Sequence, residues 1–187
     1  HTRKYLSRKT ENRRLRKDQA GIIAIIGAAS RSLFNGESLK VFAEDLTQPI
    51  KGKRQSLAMS RKLNSWMKGA IRDSLQKWAN WTGSVVSEIQ PSYTSQIDSV
   101  TGTLLGVRKG DSFIRFNGVV LQADHNAALN ILARGTDKEI SRFMTRVEVQ
   151  AVLLRRTARF LEDMDLSLAN AVELGWLDPK HELCSIF

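Results

Sequence analysis

Leu121-Gln122-Ala123-Asp124-His125-Asn126-Ala127-Ala128-Leu129-Asn130-Ile131-Leu132-Ala133-Arg134 is the stretch whose reading decides the fold. Asp124 suits the N-cap of a short helix, because its carboxylate can accept a backbone N–H of the first turn. Ala127, Ala128, Leu129, Ile131 and Leu132 then supply a small-residue apolar stripe at helical spacing. A carboxylate at the start of a rigid helix, beside a close-packed alanine face, is well placed to ligate a metal ion. The alternative is that Asp124 only caps the helix. His125 reads as incidental, since a lone histidine more often fills a surface or capping niche than serves as a base.

The chain has 187 residues and a net charge of +10, from 29 Lys and Arg against 19 Asp and Glu. That length allows one domain with a real core and an appended helical piece. The charge points to a polyanionic partner, most simply a nucleic acid. Cys184 is the single cysteine, so a disulfide framework and a cysteine-based zinc site are both excluded, and a reducing compartment fits. No apolar run is long enough to span a membrane, and the basic-then-apolar beginning lacks a secretory cleavage site.

Residues 1–17 are the most basic part, with Arg8, Lys9, Arg13 and Arg14 near its centre. Without Pro or Gly, this part can run as a helix into residues 21–29, where Ile22, Ile25, Ile26 and Ala29 recur at i, i+3, i+4 and i+7 and predict a buried face. The basic half reads either as a phosphate-tracking helix or as a solvated charged face. Asn35-Gly36 breaks the helix. Residues 39–46 follow as a short strand that is apolar up to Glu44-Asp45, as expected of a buried strand whose end opens onto a site. Adjacent strand residues point to opposite faces, so Glu44 and Asp45 cannot serve one metal cluster together. Lys51, Lys53, Arg54 and Arg61 lie in a second basic concentration just beyond the acids.

Residues 60–81 read as a long amphipathic helix, with Leu63, Trp66, Met67, Ala70, Ile71, Leu75 and Trp78 on its apolar stripe. Tryptophans on such a stripe are core anchors rather than base-stacking platforms. A second strand runs over 84–89 and Pro91 stops it. Ser112-Phe113-Ile114-Arg115-Phe116 before Asn117-Gly118 predicts a small hairpin. After the Asp124 helix, residues 138–176 read as further helix, with an apolar set of Val147, Val149, Val152, Leu153, Phe160, Leu161, Met164, Leu168 and Leu174 and a stop at Gly175. The order strand, helix, strand, helix is a piece of an α/β sandwich.

Three segments resemble one family in the correct order. Ala43-Glu44-Asp45-Leu46 is similar to the second acidic motif of a RuvC-like nuclease domain. Pro91-Ser92-Tyr93-Thr94-Ser95-Gln96 resembles the motif after the next strand in RNA-guided nucleases. Ala123-Asp124-His125-Asn126-Ala127-Ala128-Leu129-Asn130-Ile131 resembles their third acidic motif. Together they resemble the C-terminal part of a type V CRISPR effector, or of its transposon-encoded relatives, over residues 39–134.

The resemblance implies a partial RNase H-like (RuvC) fold: α/β, a mixed sheet flanked by helices, with a small insertion and a C-terminal helical extension. Residues 1–38 would be a basic and apolar helical segment of that domain. Residues 39–90 would be its strand-helix-strand with the second acidic motif, 91–120 a nucleic-acid-binding insertion without a zinc ribbon, and 121–187 the third acidic motif helix and C-terminal helices. The implied activity is cleavage of DNA phosphodiester bonds at sites chosen by guide-RNA pairing. Glu44 and Asp124 match the motif carboxylates and would hold Mg²⁺ or Mn²⁺ as a two-metal site. The insertion of zinc-free relatives can bring an arginine near the scissile phosphate, for which Arg108 and Arg115 are the candidates here. Tyr93, Ser95 and Gln96 join the basic residues Arg8, Lys9, Arg13, Arg14, Lys51, Lys53, Arg54 and Arg61 as candidate nucleic-acid contacts. The implied partners are guide RNA, target DNA and the remainder of the effector polypeptide, in a prokaryotic cytoplasm.

One departure stands out. The family carries an earlier strand with its own aspartate, and nothing before Glu44 resembles it; Asp18 lies in a basic helical stretch. The expectation is therefore a fragment of a larger protein, incomplete as a catalyst by itself. Two other readings stay open. One is a guide-directed DNA-binding protein of the same fold that does not cleave. The other is an unrelated basic module that binds nucleic acid by charge alone.

Overall fold

The computed structural model describes residues 2–44 and 59–177, with side chains described over 10, 12–44 and 67–177. Asp45, Lys51, Lys53, Arg54 and Cys184 lie outside the described residues, as do the side chains of Arg8, Lys9, Arg61, Leu63 and Trp66. In chain order the elements are α1 (Thr2–Phe34), β1 (Lys40–Glu44), α2 (Met59–Thr82), β2 (Val85–Ile89), β3 (Val107–Lys109), β4 (Ser112–Ile114), β5 (Val120–Gln122), α3 (Ala123–Arg134), α4 (Arg146–Glu162) and α5 (Leu168–Glu173). Among the described residues the strands make two small sheets, a pair β1-β2 and a meander β3-β4-β5, rather than one wide mixed sheet. No helix among them is long and apolar enough to cross a membrane. The chain divides into two compact units, His1–Val41 with Leu46–Val86, and Phe42–Asp45 with Ser87–Phe187.

In the first unit, α1 and α2 are the long helices that the sequence predicts. Asn35 (φ 42°) and Gly36 (φ 78°) end α1 in the left-handed region, which those two residue types tolerate best. The face expected to be buried on α1 is only half-buried at Ile22 and Ile26 and is exposed at Ile25 and Ala29. Ile25 is 71% exposed, and burial falls instead on Ser30 and Phe34, one turn apart at the helix end. A four-residue apolar repeat is a weak signal when charged residues surround it on a helix this long. On α2 the predicted stripe is half-buried from Met67 through Trp78, with Ala79 fully buried beside it. Trp78 stacks obliquely on Trp81 at 5.6 Å and carries the Arg31 guanidinium 5.7 Å from its ring centre.

The second unit holds the main apolar cluster, in which Tyr93, Ile97, Leu104 and Leu105 of the post-β2 segment pack with Val149, Val152, Leu153 and Leu161 of α4 and with Ala171 of α5. Residues 138–145 are not helical, contrary to the expectation of continuous helix from 138. Asp137 accepts the backbone N–H groups of Glu139 and Ile140, an Asx-type turn, and α4 starts afresh at a Thr145/Glu148 capping box. Val147, Met164 and Leu174, expected in the apolar set, are exposed. The hairpin predicted at Asn117-Gly118 joins β4 to β5, in register Ile114↔Val120. A second hairpin joins β3 to β4 through Gly110-Asp111 and carries Arg108 and Lys109.

Helix α3 is inverted relative to its prediction. The N-cap is Gln122, whose side chain accepts the His125 N–H; Asp124 sits inside the first turn. The face turned inward is Ala123, Asn126, Asn130 and Arg134, whereas Leu129 and Leu132 are 39% and 57% exposed. The buried face is polar because its work is to bind backbone, as follows.

Candidate functional site

The segment between β2 and β3 has no ladder partner for most of its length, and buried backbone groups without partners are costly. Helix α3 supplies the partners. Asn126, with no exposed surface, donates from Nδ2 to the Ile97 carbonyl (2.8 Å) and accepts the Ser99 N–H at Oδ1 (3.0 Å). Asn130, 5% exposed, gives both protons of Nδ2, one to Thr94 O (2.9 Å) and one to Ile97 O (2.7 Å). Arg134 donates from Nη1 to Gln90 O (3.1 Å) and Ser92 O (3.4 Å). Burial holds its guanidinium below the usual arginine range, against the pull of Asp137. The three polar residues recur every four positions, so one helical stripe clamps residues 90–99.

That segment carries Thr94 to Glu44. The Thr94 hydroxyl donates to Glu44 Oε1 at 2.6 Å, with Pro91 O a second neighbour at 3.0 Å. A hydroxyl has one proton, and the shorter, charge-assisted contact takes it. Glu44 is half-buried at the end of β1. Tyr93, just before Thr94, has φ 67°, a conformation that a bulky residue rarely adopts. It is held there by burial in the apolar cluster, by the Arg146 guanidinium 4.3 Å over its ring, and by the Gln96 N–H on its carbonyl. Its ring is thus core, not an open stacking platform; Ser95 and Gln96 are half-buried beside it.

The two candidate arginines are both engaged with acids. Arg108 Nη2 lies 3.0 Å from Asp124 Oδ1, in a pair whose side chains are 35% and 74% exposed. Arg115 Nε reaches both oxygens of Asp98, at 3.0 and 2.9 Å, with Asp98 fully buried. Among the described residues its Nη1 and Nη2 have no protein partner. Arg13 and Arg14 are exposed on α1. The structure thus brings Glu44 to Thr94, and Asp124 to Arg108. No cluster of three or more His, Cys, Asp or Glu side chains that could hold a metal ion occurs among the described residues.

The residues that sequence reasoning passed over are Thr94, Asn126, Asn130, Arg134 and Asp98. The signal for three of them was present: Asn126, Asn130 and Arg134 fall at i, i+4 and i+8, a polar stripe as regular as the alanine stripe beside it. Thr94 and Asp98 depend on contacts 50 and 17 residues away, which no local pattern announces.

No curated protein and no solved structure gives a significant match to the chain. A family model does: residues 69–131 match the Cas12f1-like TNB domain. The match runs from the middle of α2 through the 90–99 segment and the β3-β5 meander into α3, and so takes in Thr94, Arg108, Arg115 and Asp124. Residues 69–131 are therefore similar to a domain of type V CRISPR effectors of the Cas12f1-like kind.

Proposed function

We propose that this chain is part of an RNA-guided, divalent-metal-dependent endonuclease with a RuvC-type, RNase H-like catalytic fold, which cleaves DNA phosphodiester bonds. The observation that carries this reading is the link between the two carboxylate motifs. Glu44 at the end of β1 is bonded to Thr94, and the segment holding Thr94 is gripped by the helix that presents Asp124. Glu44 and Asp124 offer oxygen donors only, the type that Mg²⁺ and Mn²⁺ take. Further ligands would come from residues outside those described. Bound there, the cations would lower the pKa of an attacking water and offset charge on the leaving oxygen.

The chain's own part is to hold those carboxylates and the phosphates. The exposed Arg108–Asp124 pair contributes at most about 1 kcal/mol, so a cation or a phosphate can separate it. Arg115 is anchored through Nε and keeps its outer nitrogens for a phosphate oxygen. Arg13 and Arg14 on α1 suit backbone tracking, and guide pairing would choose the sequence.

A second reading, a guided DNA binder that does not cut, is favoured by one observation: Asp124 is paired with an arginine, and no third acid joins it among the described residues. The test is Mg²⁺-dependent cleavage of labelled DNA and RNA by the complete polypeptide with its guide, for wild type and Asp124→Asn, with binding measured in parallel. Cleavage lost and binding kept in the variant supports the nuclease. Cleavage that survives Asp124→Asn refutes it. Binding without cleavage in both supports the second reading.

A further inference from the structure

We propose that Thr94 is a positioning residue for the Glu44 carboxylate and that Asn130 braces Thr94, so that α3 orients both acidic motifs at once. This rests on the reading of Glu44 as a metal ligand. A glutamate at a strand end can rotate its carboxylate freely unless something holds one oxygen. The Thr94 hydroxyl holds Oε1 at 2.6 Å, and among the described residues Oε2 has no partner, which leaves that oxygen for a cation. Thr94 is itself fixed. It is 3% exposed, follows a left-handed Tyr93, and its carbonyl receives one proton of Asn130 Nδ2 at 2.9 Å. The other proton of Asn130 goes to Ile97 O, where Asn126 Nδ2 also converges. Asn126 lies two residues beyond Asp124 on the same helix. The line Glu44–Thr94–Asn130–α3–Asp124 is therefore continuous: a side-chain bond from Thr94 to Glu44, a side-chain bond from Asn130 to the Thr94 backbone, and the helix itself, with Thr94 and Asn130 buried and Asp124 exposed at the far end. A brace of this kind fixes ligand geometry before any cation arrives.

The experiment uses the complete polypeptide and Mn²⁺ as probe, with free Mn²⁺ counted by electron paramagnetic resonance. Wild type, Glu44→Gln, Thr94→Val, Thr94→Ser and Asn130→Ala are compared, with melting temperatures as a check on folding. Thr94→Val keeps the shape and removes the proton; it is expected to weaken Mn²⁺ binding about tenfold or more, the usual loss when an outer partner of a ligand is removed. Thr94→Ser, which keeps the hydroxyl, is expected to stay within about twofold of wild type on the same principle. Asn130→Ala is expected to shift affinity in the same direction as Thr94→Val. The proposal is overturned if Glu44→Gln loses Mn²⁺ while a folded Thr94→Val binds it as wild type does. If instead Glu44→Gln binds Mn²⁺ unchanged, the nuclease reading of Glu44 fails first and carries this proposal with it. Should Thr94→Val not fold, Thr94→Ser and Asn130→Ala decide. Wild-type affinity in a folded Asn130→Ala overturns the brace, and a tenfold loss in Thr94→Ser overturns the role of the hydroxyl.

Discussion

Arg115 Nε sits 2.9 and 3.0 Å from the two oxygens of Asp98, a carboxylate without exposed surface that also accepts the Val100 N–H. Removing one partner of a buried ion pair leaves the other charge uncompensated, which costs about 3–5 kcal/mol. Arg115→Met should therefore lower unfolding free energy by about that amount in denaturant titration. A loss under about 1 kcal/mol would mean that the pair is solvated, as surface pairs are.

The inverted polarity of α3 makes a contrast that ordinary hydrophobicity reverses. Asn126→Ala removes two bonds inside the protein and strands the Ser99 N–H, for an expected loss of about 2–4 kcal/mol. Leu132→Lys, on the exposed face, should stay within about 0.5 kcal/mol of wild type. Urea unfolding of the two variants ranks them, and the opposite order would restore the leucines to the core.

Burial pushes the Asp137 carboxyl up, but the Arg156 guanidinium at 2.7 Å and the N–H groups of Glu139 and Ile140 outweigh it and hold the group below the usual aspartate range. A carboxylate with a depressed folded-state pKa stabilises fully above its unfolded value, near 4, and the gain disappears as pH falls through the folded value. Asp137→Asn should thus lower the melting temperature at pH 7, and the gap to wild type should narrow progressively as pH falls below about 4. A gap of constant size from pH 7 down to about pH 2 would assign the effect to packing.

Gly135, which follows α3, has ordinary helical φ of −64°, so its need for glycine is spatial: an added Cβ would run into the Phe42 ring. Gly135→Ala should cost about 1–3 kcal/mol by overpacking. Phe42→Leu in the same chain should recover part of it, so the double variant should be less damaged than the sum of the singles. Simple additivity in thermal unfolding would sink this account.

The elements legible in the sequence were those set by local rules. Apolar spacing marked α2, Asn35-Gly36 marked the end of α1, and Asn117-Gly118 marked the β4-β5 turn. Glu44 at a strand end was legible too, because an acidic pair interrupts an apolar run. What misled was the assumption that a helix buries its most apolar face. On α3 the backbone carbonyls of residues 90–99 require donors, and asparagines meet that need where leucines cannot. The break before α4 was readable after the fact, since Thr145 and Glu148 spell a capping box. Thr94 stands within the 91–96 motif, yet its partner Glu44 lies 50 residues back, and only the fold joins them.

The Ser99–Asn126 contact joins positions 27 apart in sequence, so the meander between them leaves the clamp and returns to it. Closing such an excursion becomes only slowly harder as it lengthens, by about 0.6 kcal/mol per doubling. The clamp can consequently stay constant while the excursion is lengthened or shortened at its exposed tips, Gly110-Asp111 and Asn117-Gly118. The α3 stripe is in that sense a socket whose plug can vary at those two tips while Arg108 and Arg115 keep Asp124 and Asp98 paired.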